Sequence, residues 1–294
     1  MRNGVKIEID QGAGFCFGVE QVIRMAESRL REGETVYGLG DMVHNLGEME
    51  RLRDLGLRTL THADLERVHP DRILFRAHGE PPETYRMAAD HHIEVIDGTC
   101  PIVKKLQEKI RDKFRSMDHS NEQLVIFGNR THPETIGLLG QVDGDAVVVS
   151  SVDDIHLVDP GKTVHLYSQT TMDPDQFRKV ESALKERLAP AAVSAFRSNC
   201  TICGQMKKRK PGLAAFVRRH DVVVFVSGKN SSNGKMLFEY CRSINPRSHW
   251  ISGPSEIDRK WFEKASSVGI SGATSTSREQ LETVSGHIKK FIFS

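Results

Sequence analysis

Short runs of β-branched and other apolar residues alternate along the chain with longer stretches whose apolar positions recur at helical spacing. Apolar strands separated by amphipathic helices predict parallel sheets covered on their faces. The runs place strands over 6–9, 35–39, 73–76, 94–97, 124–127, 146–149, 164–167, 222–226, 249–251 and 268–271. A helix is predicted after Cys16, where Val19, Val22, Ile23, Ala26 and Leu30 share one face and Glu20, Arg24 and Arg31 point away. Further helices are predicted over 46–55, 82–90, 103–114, 174–188, 207–219, 234–243 and 278–291. Roughly ten strands would make a large single sheet, and three cysteine-bearing regions divide the chain into thirds. The expected fold is therefore α/β, with three small parallel-sheet units around one site, although no sequence repeat marks them.

Composition narrows the class. A chain of 294 residues can bury a large core and form one to three domains. Lys plus Arg number 41 against 39 for Asp plus Glu, a net charge of +2, so no overall field argues for nucleic acid or membrane as a partner. The basic run Lys207-Lys208-Arg209-Lys210 is expected to be a solvated helix face. Five cysteines are an odd number, and Met1-Arg2-Asn3-Gly4 offers no apolar leader, so a reduced, cytoplasmic setting is expected. No apolar run approaches the ~18 residues of a membrane span.

Candidate chemistry gathers where predicted strands end. Cys16, Cys100 and Cys203 each sit where a strand or loop hands over to a helix, in Gly14-Phe15-Cys16-Phe17-Gly18, Gly98-Thr99-Cys100-Pro101 and Cys200-Thr201-Ile202-Cys203-Gly204. Three thiolates from distant parts of a chain can hold an iron-sulfur cluster or zinc and leave one metal position open for substrate. Other strand ends run into Gly40 and His44-Asn45, Arg76-Ala77-His78-Gly79, Gly128-Asn129-Arg130-Thr131-His132, Ser168-Gln169-Thr170-Thr171, Ser227-Gly228-Lys229-Asn230-Ser231-Ser232-Asn233 and Gly272-Ala273-Thr274-Ser275. In open α/β sheets that edge binds ligands. The Ser/Asn loop before the helix at 234 can aim amides and hydroxyls at an anion or simply cap the helix. His44, His78 and His132 add phosphate-binding or metal-ligating capacity, whereas His62, His69, His91, His119, His156 and His220 are read as packing or surface residues. Glu134, beside His132 at an apparent turn, would deliver a proton near neutrality if buried, with a helix-start acid as the structural alternative. The Cys200/Cys203 pair alone would suggest thiol redox or zinc, and Cys241 reads as a small buried hydrophobe.

These residues resemble the 4-hydroxy-3-methylbut-2-enyl diphosphate reductase family of the methylerythritol phosphate route to isoprenoids. The matching blocks run in order from Gly14 to about Ser277. They are Gly-Phe-Cys-Phe-Gly-Val at 14–19, Val-His-Asn at 43–45, Ala-His-Gly at 77–79, Thr-Cys-Pro at 99–101, His-Pro-Glu at 132–134, Ser-Gln-Thr-Thr at 168–171, Thr-Ile-Cys at 201–203 and Lys-Asn-Ser-Ser-Asn at 229–233. The resemblance implies a trefoil of α/β domains over 17–99, 100–198 and 199–294, with the N-terminal strand segment 1–16 joining the last. It implies a 4Fe-4S cluster on Cys16, Cys100 and Cys203 whose fourth iron engages the substrate hydroxyl. Two electrons from a ferredoxin or flavodoxin, loss of water and protonation of an allylic intermediate would yield isopentenyl and dimethylallyl diphosphate. By motif, His44, His78, Ser231, Ser232, Asn233 and Ser275 would hold the diphosphate, His132 would contact it, and Glu134 with Thr170 would manage the proton. Three local departures bear on this, one being Gly-Gln-Met-Lys-Lys-Arg-Lys at 204–210, where the family more often has Ala-Thr and a terminal Arg-Gln. Cys200 stands where the family has an acidic or neutral polar residue, leaving the iron-binding thiol open between Cys200 and Cys203 although Thr201-Ile202 sets the register on Cys203, and Ala273-Thr274-Ser275-Thr276 differs from the usual loop around Ser275.

Two other classes use the same residues. A zinc hydrolase of a phosphorylated substrate would take Glu134 as base. A non-catalytic iron-sulfur carrier would close its site with Cys200 as a fourth ligand.

Overall fold

The computed structural model describes residues 5–188 and 196–293, with the side chains of Glu66, Ser232 and Phe293 outside the description. Met1 to Gly4, read above for the lack of an apolar leader, also lie outside it. In chain order the strands are β1 (Lys6–Ile9), β2 (Tyr37–Leu39), β3 (Arg58–Leu60), β4 (Arg72–Phe75), β5 (Glu94–Asp97), β6 (Glu122–Phe127), β7 (Val147–Val149), β8 (Thr163–Ser168), β9 (Phe196–Ser198), β10 (Val222–Val226), β11 (Ser248–Ile251) and β12 (Ser267–Gly272). The helices are α1 (Phe17–Arg31), α2 (Leu46–Asp54), α3 (His62–Val68), α4 (Pro82–Asp90), α5 (Pro101–Ser116), α6 (Pro133–Gly140), α7 (Pro174–Leu188), α8 (Gly204–Val217), α9 (Ser232–Ile244) and α10 (Arg278–Phe293). They form three four-stranded sheets, ordered β1-β12-β10-β11, β3-β2-β4-β5 and β7-β6-β8-β9, and every pairing of defined register is parallel.

Packing groups the chain into two compact units. One comprises Met1–Val36, Asp41–Thr59 and Lys208–Ser294. Its central strand β10, Val-Val-Val-Phe-Val, is buried along its whole length, as a strand covered on both faces must be. Val222, Val224 and Val226 pack with Leu281, Val284 and Ile288 of α10. On the opposite face Val223 and Phe225 meet Leu213 and Val217 of α8 and Leu237 and Cys241 of α9. The alternation follows from the two-residue period of a strand.

The other unit comprises Tyr37–Gly40 and Leu60–Lys207. Leu39, Ile73 and Phe75 build one core with Ala88 of α4. Leu106 and Ile110 of α5, Leu124 and Ile126 of β6 and Leu138 of α6 build another. Small residues let these layers meet. A Cβ on Gly140 would stand 2.3 Å from Cβ of Pro81, and one on Gly137 would stand 3.1 Å from the carbonyl oxygen of Gly79.

Three sequence expectations are corrected. Strands β3 and β9 were not expected, because each spans three residues with a single apolar side chain and lies at a sheet edge. His132-Pro133-Glu134 is not a plain turn: Pro133 takes the first position of α6, where its missing N–H costs nothing. The basic run is not wholly a solvated face either, since Arg209 is buried and bonded to Asp10.

Candidate functional site

Parallel pairing sends the C-terminal ends of each sheet's strands to one edge, and the candidate residues leave from those ends. In the unit containing β6 and β8, the chain after β8 is the organising element. The Thr170 amide donates to Oε1 of Glu134 at 2.6 Å and the Thr170 hydroxyl to Oε2 at 2.8 Å. The Thr170 carbonyl accepts the amide of Cys203 at 2.9 Å. One residue thus fixes both the carboxyl group and the third cysteine loop. Gln169 braces the same edge, its Oε1 accepting from the Asn129 amide and the Thr135 hydroxyl, both at 3.1 Å. Thr201 adds a clasp on Ser168, accepting from its amide and donating to its carbonyl.

Glu134 is 1 % exposed. Burial disfavours its charged form, and although both Thr170 hydrogen bonds pull the other way, its pKa rises to about 7. The group can hold a proton at neutral pH and release it. Its amide donates to Nδ1 of His132 at 3.2 Å, which assigns the His132 proton to Nε2 when the ring is neutral. The rings of His132 and His78 meet edge to face, centroids 5.1 Å apart. Cys100 follows β5, its amide bonded to the Ala77 carbonyl just past β4 at 3.0 Å.

In the other unit, Ser231 caps α9 by accepting the Gly234 amide at 3.0 Å. The Ser275 hydroxyl lies 3.5 Å from that of Ser231. Asn233 donates from its amide nitrogen to Thr274 at 3.0 Å, while its buried Oδ1 has no hydrogen-bond partner among the described residues. Leaving such an atom unmatched costs about 1–3 kcal/mol. Turning the amide over would let Oδ1 accept from Thr274 and present two N–H donors to an anion. His44 lies against this loop through its backbone, since a Cβ on Gly228 would stand 3.0 Å from the His44 carbonyl oxygen. The Ser232 side chain lies outside the described residues.

Cys16, Cys100 and Cys203 share one backbone role. The Cys16, Cys100 and Cys203 carbonyls accept the first helical hydrogen bonds, from Glu20 at 2.9 Å, Lys104 at 3.0 Å and Lys207 at 3.1 Å. Each thiol is therefore held at a helix start, where the end of the backbone dipole favours negative charge, and neither Cys16 nor Cys100 uses its side chain as a cap. No disulfide joins any of the five cysteines. Soft thiolate donors fit iron, so the chemistry of each thiol suits a thiolate-ligated cluster. Cys200 has a different setting: it is exposed, and its carbonyl accepts from Nζ of Lys207 at 3.3 Å. Cys241 is fully buried, and burial drives its thiol up to about 12.

The sequence expectation pairs Glu134 with Thr170, and two hydrogen bonds join them in the structure. It passes over Gln169 and Asn45, which lie inside recognised blocks. Asn45 caps α2 and donates to the Ser275 carbonyl at 2.9 Å and to Gln280 at 2.8 Å. Their motif membership was the available signal.

Fold and site define a parallel α/β protein that combines a buried, near-neutral carboxylic acid with cysteines at helix starts. The model of the LytB protein family matches residues 7–289, and the chain belongs to that family. It is 46 % identical over 285 residues to 4-hydroxy-3-methylbut-2-enyl diphosphate reductase of Bacteroides fragilis, covering 97 % of this chain and 98 % of the relative. The like-named enzyme of Chloroherpeton thalassium is 38 % identical over 308 residues, with 97 % and 96 % covered. A solved structure of (E)-4-hydroxy-3-methyl-but-2-enyl diphosphate reductase, described as the terminal enzyme of the non-mevalonate pathway, superposes with a TM-score of 0.71 at 30 % identity, covering 97 % of this chain and 99 % of that one. The corresponding reductase of Plasmodium falciparum shares the fold, with a TM-score of 0.84 at 21 % identity over 97 % of this chain and 88 % of its own.

Proposed function

We propose that this chain reduces 4-hydroxy-3-methylbut-2-enyl diphosphate, removing its hydroxyl group to give isopentenyl and dimethylallyl diphosphate. The observation that carries the reading is the shared anchor at Thr170, which holds a carboxyl of pKa about 7 and the Cys203 loop at once. Cys16, Cys100 and Cys203 would hold a 4Fe-4S cluster, which when bound supplies electrons and an iron position for the substrate oxygen. Glu134 supplies one of the two protons that the two-electron reduction with loss of water consumes, with Thr170 fixing the direction of its carboxyl. The Nε2–H of His132 donates to the substrate, and His78, edge to face with that ring, takes part in holding the diphosphate. Ser231, Ser232, Asn233, Ser275 and His44 bind the diphosphate through hydroxyl, amide and imidazole groups at a helix start. A small one-electron carrier such as a ferredoxin or flavodoxin is the partner this chemistry requires, in a reducing cytoplasmic setting. The reading takes 17–99, 100–198 and 199–294 as three α/β domains, with 1–16 joined to the last, and the pairing of β1 with β12 supports that join.

Metal content provides the test. Cys16→Ser, Cys100→Ser and Cys203→Ser should each lose iron, sulfide and turnover in anaerobic preparations, because an alcohol weakens the soft iron-thiolate bond. Cys200→Ser and Cys241→Ser should retain all three. Iron retained in Cys203→Ser and lost in Cys200→Ser would reverse the assignment of the third ligand.

A further inference from the structure

The loop that carries Cys16 begins at Asp10, and Asp10 is the centre of a buried polar network that the proposed reaction leaves unused. Oδ2 of Asp10 accepts from Nη1 of Arg209 at 2.7 Å and from the Ser271 hydroxyl at 2.8 Å. Nη2 of Arg209 donates to the same Ser271 oxygen at 2.7 Å and to the Gly272 carbonyl at 3.0 Å. The other carboxylate oxygen, Oδ1, accepts the Gly12 amide at 2.9 Å, and the Asp10 carbonyl accepts the Ala13 amide at 3.1 Å. The carboxylate thus folds the start of the Cys16 loop into a turn and clamps it to β12 and α8. Gly12 makes room for the clamp, since a Cβ there would stand 3.0 Å from Nη1 of Arg209. Gly14, two residues before the cysteine, takes φ of +122°, a conformation open to glycine, and so fits the turn to the start of α1.

A buried charge pair of this kind is weak evidence for stability, because desolvation offsets much of the attraction. Its geometry instead specifies one position for the loop. Arginine is the side chain for such a clamp, because its planar fork meets carboxylate, hydroxyl and carbonyl together, which a lysine ammonium cannot match. We infer that Asp10, Arg209 and Ser271 are positioning residues for the Cys16 thiol, setting where the N-terminal ligand stands when metal binds. The inference rests on the assignment of Cys16 as a cluster ligand.

The full-length chain, treated with a ferrous chelator and iodoacetamide, reports this through the alkylation rate of each cysteine read by peptide mass spectrometry. Arg209→Met and Asp10→Asn should raise the Cys16 rate several-fold, with Cys100 unchanged and the emission of Trp250 and Trp261 preserved. Arg209→Lys, which keeps the charge but loses the fork, should fall between wild type and Arg209→Met. Iron should also leave the variants faster than wild type under the chelator. An unchanged Cys16 rate in folded variants overturns the inference. So does a parallel rise at Cys16 and Cys100 with altered tryptophan emission, since that marks general loosening. Should the charged variants fail to fold, Ser271→Ala removes one hydroxyl and gives the same comparison. A wild-type chain that binds no iron would count against the cluster reading alone, because the alkylation comparison needs no iron.

Discussion

Glu134 concentrates the proposed chemistry in one carboxyl group. Its pKa stands at about 7 rather than 4.5 because burial outweighs the two Thr170 hydrogen bonds. Turnover should hold on the acid side of about pH 7 and fall above it as the proton is lost. The folded protein also binds this proton more tightly than the unfolded chain does. The Glu134 contribution to stability is therefore full below pH 4.5 and is lost as pH rises to about 7, a change on the order of 3 kcal/mol. Glu134→Gln keeps size and hydrogen-bonding reach but has no acid proton to give. It should bind substrate, lose roughly two orders of magnitude in turnover, and flatten that part of the stability curve. Urea unfolding of both proteins across the pH range, with rates on the same samples, checks the two effects together. Full activity in the variant would remove Glu134 from the reaction.

Among elements, legibility followed burial. The wholly apolar run at Val222–Val226 announced a central strand, and the periodic pattern of Pro82–Asp90 announced a helix, because packing dictates those patterns. Strands β3 and β9 escaped because a short edge strand is held by backbone hydrogen bonds that leave little side-chain signature. Helix α6 escaped for another reason: Thr135-Ile136-Gly137-Leu138-Leu139-Gly140 lacks a polar face and carries two glycines, so it has no helical period to read. Those glycines are there for close packing. Gly140→Ala should clash with Pro81 at the start of α4 and cost about 1–3 kcal/mol, seen as a lower urea midpoint. An unchanged midpoint would mean that α4 and α6 can separate without penalty. Motif blocks located most candidate side chains, whereas the Asp10–Arg209 contact joins residues 199 positions apart and has no local signal.

For the molecule as a whole, a net charge of +2 gives no general attraction for an anionic substrate, so affinity for a diphosphate must come from placed groups. No helix among the described residues is long and apolar enough to cross a membrane. If the head group carries the affinity, Asn233→Ala should raise the Michaelis constant for the diphosphate far more than for the free alcohol, and inorganic diphosphate should compete with substrate. Equal effects on both substrates would return the Ser231–Asn233 loop to a capping role. Whether the chain removes a hydroxyl reductively, with a cluster as electron carrier and Glu134 as acid, is decided by an anaerobic assay of the iron-loaded protein. It is given an artificial one-electron donor and 4-hydroxy-3-methylbut-2-enyl diphosphate, and the products are followed by mass spectrometry. Isopentenyl and dimethylallyl diphosphate should form in the wild type and nearly vanish in Glu134→Gln. Iron-loaded protein that forms neither product, or a zinc-containing protein that releases phosphate instead, would contradict this chemistry.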